Sequence, residues 1–594
     1  MKKIIIKTFS DFKENQNFKN LFLGNHCNRY DYKKKKIEDL CIQNKHYWDD
    51  YKIFLDDINY IDLLYKRLLK ELIISLNKFH ECKKSDLFWE IIVGPWLIHF
   101  CLNIFDRWKT INNIVREKDI FTELNDSLKR FVTPNLLEEY QRIIATETYN
   151  HYIYSKILIF LKDNNQLKIN FIENKKNFFN DLQLIIKKKE NTKSKIKIFL
   201  RNLIINLLSF FTKKQKIVIL RNYLGLYRDL KINLSLLQFP SLHTHHIQTE
   251  DLKISKDRKN FYFKFDYQNL FENFLFKEIM LHIPTILIEK FDSMQEKISQ
   301  TNLSKNPKLI FITNFSGNTF LSFYCANKKE NGAKLITAQH GGAYGQYDNH
   351  WSEDFEIKIS DKFLTYGWIS QKYKNKTIPF GFLKNIKIDN KKNFKNKKQL
   401  LFIVSTRLKF INTLDSNIRS HQKHDYLNNC YNFIENLDEN IQKNTLIRLR
   451  DLDWGWAEHP RFKTKFPKLN FDSGLNNIYR LMKSSRVVVS TSLGTSYLES
   501  LAMNIPTIVL TNYNMEPMRE EAKEYLNLLI DAKILHLTFN SAVEHLNKFW
   551  QNIDKWWLSE MVQENIKIFC EKYAKYEKNI DIKLIKLLKS NLND

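Results

Sequence analysis

The chain has 594 residues, with 94 Lys and Arg against 66 Asp and Glu, a formal net charge of +28 and 43 % hydrophobic side chains. That apolar content, with 14 % aromatics, excludes a disordered chain, and the length calls for more than one core. Seven cysteines at 27, 41, 82, 101, 325, 430 and 570 contain no CxxC pair, which excludes a disulfide framework or a zinc ribbon and fits a reducing compartment.

The basic excess has two readings that the sequence leaves open. It matches an anionic partner, or it reflects compositional drift in a chain rich in Lys, Asn and Ile throughout. "MKKIIIKTFSDF" has too short an apolar run for a signal peptide and reads as a first strand. Residues 35 to about 190 read as helical, with "FWEIIVGPWLIHFCLNIFDRW" (88–108) as the most apolar part. Gly94-Pro95 interrupts that stretch, so it is expected to be a buried helix or helix pair. No uncharged apolar run reaches the roughly eighteen residues of a spanning helix, and the expected location is the cytoplasm. Residues 193–216 have apolar positions at helical spacing and lysines at both ends. They suit a core-facing amphipathic helix, or one lying on the anionic inner-membrane surface.

"KIVILRNY" (216–223), "PKLIFITNF" (307–315) and "AKLITAQH" (333–340) are strand-like and alternate with helical stretches such as 268–300, the pattern of a parallel α/β sheet. A lysine-rich link at 384–399 separates them from a second series. There strands at 400–406, 444–450, 486–492 and 505–511 alternate with helices near 421–440, 476–485 and 496–503. The expected organisation is an N-terminal α/β domain over 1–383 with a helical insertion at about 35–215, the linker 384–399, a second α/β domain over 400–515, and helices over 516–594 that can cross back.

Two segments carry chemistry. In "RVVVSTSLGTSYLESLAMNIPTIVL" (486–510) a buried strand ends in small hydroxyl residues and one glycine, and a helix starts at once. Unpaired N–H groups and the helix dipole make such a turn a site for a diphosphate. Gly494 permits close approach, Thr495 caps the helix, and Glu499 one turn on suits a ribose diol. The bland reading is an N-cap followed by a solvent-facing glutamate. In "KLITAQHGGAYGQYDNH" (334–350) a chain with only 13 glycines places Gly341, Gly342 and Gly345 directly behind His340. Alone, this reads as a turn with a capping histidine.

The first string resembles the donor half of GT-B glycosyltransferases and of CDP-glycerol glycerophosphotransferases. The resemblance implies that Thr491, Ser492, Gly494 and Thr495 touch donor phosphates and Glu499 the ribose or sugar. It also implies that the basic residue ending "LIRLR", Arg448 or Arg450, clamps the diphosphate. "TAQHGG" resembles the His-Gly turn facing the cleft in those transferases. That makes His340 the candidate general base on an acceptor hydroxyl, with Gln339, Gly341 and Gly342 shaping the turn. "VGPWL…DRW", "TAQHGGAYGQ", "FLTYGW" and the 490–510 string together resemble a bacterial transferase family of surface-carbohydrate loci.

The implied fold is α/β and GT-B-like: two Rossmann-like domains facing a cleft, with a large helical N-terminal elaboration. The implied activity is metal-independent transfer of a sugar from a nucleotide-activated donor to a glycan or lipid-linked acceptor. Transfer of an alditol phosphate from a CDP-alditol stays open, as does a non-catalytic basic binding protein. No cofactor is expected. Neither is nucleic acid, because aromatics are not interleaved with a compact basic run. "DLD" (451–453) has the spacing of a metal-binding motif, but its RLR and WGW neighbours suit a hard-cation site poorly. "HTHH" (243–246) lacks acidic or thiol partners and reads as a polar loop.

Overall fold

Strands β1 (Lys2–Ile6), β2 (Phe18–Phe22), β3 (Ile120–Asn125) and β4 (Ile169–Asn174) form a parallel sheet in the order β2-β1-β3-β4. The computed structural model describes residues 2–11, 18–28, 46–114, 120–125, 128, 131, 133–174, 210–241, 256–315, 317–384, 386, 388, 394, 396–414, 418–511 and 516–593. The sheet corrects the expectation of a purely helical region from 35 to 190. β3 and β4 are short and half-exposed, and β3 finds its partner β1 more than a hundred residues earlier. Helices Tyr51–Phe79 and Asp86–Ile114 pack beside it, and Pro95 lies inside the second helix without ending it. Gly94 has a packing reason, since a Cβ there would meet the Tyr65 hydroxyl at 2.8 Å. Asp86–Asn113 is long and apolar enough to cross a membrane, yet 83 % of its apolar window is buried inside the protein.

A second parallel sheet has the order β5 (Ile217–Leu220), β6 (Leu309–Ile312), β7 (Lys334–Ala338), β8 (Lys362–Thr365) and β9 (Thr377–Pro379). Its strands are apolar on both faces, as a covered parallel sheet requires. Val218, Leu220, Ile310 and Ile312 join the core built by the N-terminal helices. Ile217, Ile219, Leu309 and Phe311 face the other way, where Ile580, Leu584 and Leu588 of the last helix, Ile580–Asn593, cover them.

The third sheet holds β10 (Leu400–Ile403), β11 (Thr445–Arg448), β12 (Asn470–Asp472), β13 (Val487–Ser490), β14 (Thr507–Leu510) and β15 (Leu535–His536), in the order β12-β11-β10-β13-β14-β15, all parallel. The order reverses between β10 and β13, and such a switch opens a crevice at the carboxyl ends of the strands. β15 lies past the expected limit at 515, so the α/β unit is longer than its sequence pattern suggested. The link at 384–399 is partly packed: Ile386 and Phe394 are buried in this unit's core, and the Phe394 N–H donates to Asp554. The 193–216 segment is described only from residue 210, and HTHH at 243–246 lies outside the described residues.

Candidate active site at the junction of two sheets

The strand β13 ends beside β10, and helix Thr495–Ala502 starts from it with Gly494 as its N-cap. Glycine at the N-cap has no side chain to accept from the first N–H groups of this helix. Thr491 does not join the turn as a phosphate ligand. Its hydroxyl donates to the Ile403 carbonyl at 2.8 Å, accepts from the Ser405 N–H at 3.1 Å and meets the Tyr426 hydroxyl at 2.6 Å. It therefore staples the ends of β10 and β13, the two strands that flank the crevice. Ser492 is buried beside Gly494. Glu499 is buried one turn along, accepting from Lys384 at 2.7 Å and from the Tyr479 hydroxyl at 3.0 Å.

Arg448 ends β11 on the same edge, and Arg450 follows two residues later. The Arg448 guanidinium is turned to β12: it pairs with Asp472 and donates to the Asn476 and Gly474 carbonyls at 3.1 and 3.4 Å. A group committed in this way is not a free diphosphate clamp. Arg450 is exposed, with its guanidinium 5.7 Å from the Trp454 ring. In the DLD stretch, Asp453 accepts from the N–H groups of Gly455, Trp456 and Ala457 and is a turn residue. Among the described residues no group of three or more His, Cys, Asp or Glu converges as a metal site.

The histidine turn follows β7. Gln339 is buried and fixes its start, accepting from the Tyr366 N–H at 2.9 Å and Trp368 Nε1 at 2.8 Å while donating to the Gly341 carbonyl at 2.9 Å. His340 is 22 % exposed. Its Nε2 lies 3.0 Å from Glu356 and 2.9 Å from the Tyr344 hydroxyl, which itself donates to the other Glu356 oxygen at 3.1 Å. A buried carboxylate on one ring nitrogen fixes the tautomer and leaves the other nitrogen to take a proton. The sequence reading missed Glu356 and Tyr344. The available signal was acidic residues at 353 and 356 on the helix that follows the turn, a helix whose other face is apolar.

The two turns touch. The Gly342 N–H donates to Thr495 Oγ1 at 3.0 Å, and a Cβ on Gly342 would lie 2.5 Å from the Gly494 carbonyl group. Close approach is therefore the reason for Gly342, since its φ is not positive. Gly345 is the glycine here with positive φ, at 74°, packed on the Trp368 ring. Beyond it the loop docks on the third sheet. Asp348 N–H donates to the Pro517 carbonyl at 2.7 Å, Arg519 N–H to the Gln346 carbonyl at 2.8 Å, and the Tyr497 hydroxyl to the Gln346 side chain at 2.9 Å. Glu353 holds both sides, accepting from the Gly345 N–H and the Arg519 guanidinium, each at 2.6 Å. Burial pushes its carboxyl pKa up, and Arg519 opposes that shift.

A cavity of about 750 Å³ lies between the Tyr51–Phe79, Asp86–Ile114 and Trp351–Ile359 helices. Ile61, Leu69, Ile73, Leu102 and Phe355 line its apolar part, and His350 and Trp351 also stand in its wall. The His350 ring lies 4.7 Å from the Tyr344 ring, so Tyr344 and His350 stand between His340 and the cavity.

Two parallel α/β units meeting at their carboxyl edges, one bringing a carboxylate-held histidine and the other a glycine-capped helix N-terminus, define a GT-B-like transferase. The chain belongs to the LIC12162 family of transferases, whose model matches residues 4–588. No curated protein matches the chain. Solved structures similar to it include HepE of Anabaena in complex with UDP-glucose, at 10 % identity over 63 % of this chain and 99 % of that one, with a TM-score of 0.34. Another is S. aureus MnaA with UDP, at 11 % identity over 64 % and 97 %, TM-score 0.35. A third is an O-GlcNAc transferase mutant of Thermobaculum terrenum, at 9 % identity over 89 % and 98 %, TM-score 0.31.

Proposed function

We propose that this transferase moves a sugar from a nucleotide-activated donor to a hydroxyl of a glycan or lipid-linked acceptor, without a metal ion. The observation that carries the reading is the contact of the Glu356-held His340 turn with the Gly494-Thr495 helix start. This contact supports reading His340 as a base and the helix start as an anion-binding N-terminus on two sides of one crevice. The donor diphosphate sits at the N-terminus of helix Thr495–Ala502, with Ser492 and Gly494 against it. The open N–H groups and helix dipole stabilise the charge that develops as the sugar–phosphate bond breaks. Glu499, positioned by Lys384 and Tyr479, takes the ribose or sugar hydroxyls. His340 removes the acceptor hydroxyl proton, the acceptor oxygen bonds to the sugar carbon, and the nucleoside diphosphate leaves with the bonding electrons. The acceptor hydroxyl meets the ring nitrogen that Glu356 and Tyr344 leave open, from the crevice side of His340.

The test is a thermal-shift titration with UDP, CDP and their sugar conjugates in EDTA, followed by product analysis with the best donor. Stabilisation by a nucleotide sugar in EDTA, weakened in Glu499→Ala, is the expected result. Stabilisation only by CDP-glycerol or CDP-ribitol would replace the sugar by an alditol phosphate. No response to any nucleotide, or one that requires Mg²⁺ or Mn²⁺, would reject the donor site as drawn.

A further inference from the structure

The helix Leu226–Ser235 follows β5, the edge strand of the second sheet, and is amphipathic with its apolar face turned outward. At about 100° per residue, Leu226, Tyr227, Leu230 and Leu234 fall within one arc of roughly 100°. Leu226, Tyr227 and Leu234 are 76, 81 and 71 % exposed, and Leu237 directly beyond the helix is 96 % exposed. The buried side of the helix instead carries Ile232 and Asn233. Packing of Ile232 with Leu224 and Ile219 under the sheet fixes this orientation. Exposed Phe210, Phe211 and Phe239 extend the apolar surface, with Phe211 5.0 Å from Phe239 and Lys214 lying over the Phe210 ring. Single exposed leucines are ordinary on a protein surface. A stripe of them on one helix face, joined by exposed aromatics, is not.

Charge identifies the occupant. Between residues 210 and 239 the chain carries six basic side chains and one acidic one, Asp229, which is bound to Asn222. Lys214, Lys216 and Arg221 are exposed and Lys213 and Arg228 are partly so, while Lys231 is paired with Asp581. An apolar stripe edged by cations that form no ion pair among the described residues is the make-up of a helix that lies in the headgroup region of an anionic bilayer.

We infer that residues 210–239 form a docking surface for an anionic lipid bilayer, with Leu226, Tyr227, Leu230 and Leu234 inserted. Because all five strands of the sheet are parallel, the loop from β5 into this helix leaves the same edge as the loop carrying His340. The start of the helix therefore lies on the His340 side of the sheet, while Phe239, whose carbonyl accepts from Gln215 just before β5, lies at the other end of the surface. The surface does not depend on the transferase reading, and its test uses no substrate.

The experiment is sedimentation of the full-length protein with vesicles of phosphatidylcholine alone or mixed with phosphatidylglycerol, at low and high salt. Binding to the mixed vesicles, weakened by salt and weaker still to the neutral ones, is expected. Leu226→Glu and Leu234→Glu should each lower partitioning about tenfold or more, because each removes the insertion of a large aliphatic side chain. Their melting temperatures should stay near the wild-type value, since both side chains are mostly exposed. Lys213→Gln with Lys214→Gln should remove the preference for anionic vesicles. Unchanged partitioning in the leucine variants would overturn the proposal, as would failure of the wild type to bind either vesicle. Light scattering that shows a wild-type dimer made monomeric by Leu234→Glu would also overturn it, assigning the stripe to a second copy of the chain.

Discussion

The Gly342 amide donates to Thr495 Oγ1, and its Cα packs so closely on Gly494 that a methyl group would sit 2.5 Å from that residue's carbonyl. Gly341, one residue earlier, has ordinary space: a Cβ there would lie 3.7 Å from Thr495 Oγ1. Gly342→Ala should therefore force the two turns apart, lowering stability by about 1–3 kcal/mol and reducing turnover, while Gly341→Ala should stay within about 0.5 kcal/mol of wild type. Melting curves and initial rates of the two variants check this. Equal behaviour would mean that the contact is not rigid.

Glu356 and Tyr344 touch no substrate in the proposed mechanism and act by holding His340. Glu356→Gln keeps the shape but loses the charge that fixes the tautomer. It is expected to lower kcat by about 10²-fold or more, with the donor Kd unchanged. Tyr344→Phe should cost less, because one Glu356 contact to the ring remains. His340→Ala should lose most turnover while donor binding persists. Steady-state kinetics with parallel nucleotide titrations separate these outcomes, and a normal rate in Glu356→Gln would reduce the carboxylate to a packing partner.

Arg448 belongs to the fold of the third sheet more than to the donor. Asp472 is buried, and removing the guanidinium leaves its charge with the Asn476 amide and without its paired cation. Arg448→Met should destabilise the protein by about 3 kcal/mol and leave the UDP or CDP Kd within about twofold, well under 1 kcal/mol. Chemical denaturation and calorimetric titration provide the two readings. Loss of nucleotide affinity at wild-type stability would return Arg448 to the phosphates.

Stability should depend on pH through two opposing sets of groups. Burial pushes the Glu516 carboxyl up to about 7, against the pull of Arg419 and Arg407. The folded protein therefore keeps a proton that the unfolded chain releases near 4.5, and stability falls as pH rises through that interval. Burial lowers His282, His421 and His536 to about 4, so the unfolded chain takes up protons first as pH falls below 6.5, and stability is lost there. Between pH 6.5 and 4.5 the histidines outnumber the carboxyl, and the melting temperature should fall on acidification. Glu516→Gln should gain on wild type from pH 5 to pH 8, by about 2.5 kcal/mol in all. A gap that narrows with rising pH would refute the assignment.

The second and third sheets were legible because buried parallel strands are continuous apolar runs, as in "PKLIFITNF" and "RVVVSTS". β8 and β9 escaped because KFLT and TIP offer only one or two aliphatic or aromatic side chains, not a continuous apolar run. His340 could be read from its glycines, but not its partner: Glu356 reaches it only when the helix after the turn folds back beneath β7. The identity of Arg448 suggested a phosphate ligand, while its role is set by Asp472 on a neighbouring strand 24 residues later. Periodicity showed amphipathic helices but not their orientation. In Leu226–Ser235 the sheet beneath it decides which side is covered.

The chain passes between the two α/β units along two segments that run side by side. Phe382 N–H donates to the Lys575 carbonyl and Lys575 N–H to the Tyr366 carbonyl, both at 2.9 Å, and Gly367 and Gly381 lie against the 571–577 backbone with no room for side chains. On one side helix Glu560–Tyr573 packs on Thr495–Ala502, and on the other Ile580–Asn593 seals the second sheet. The two units are thus fastened at both ends of their junction: by these paired segments on one side, and on the other by the Gly342–Thr495 contact with the bonds from Gln346, Asp348 and Glu353 to Tyr497, Pro517 and Arg519. A change at either fastening is therefore felt at the crevice between them.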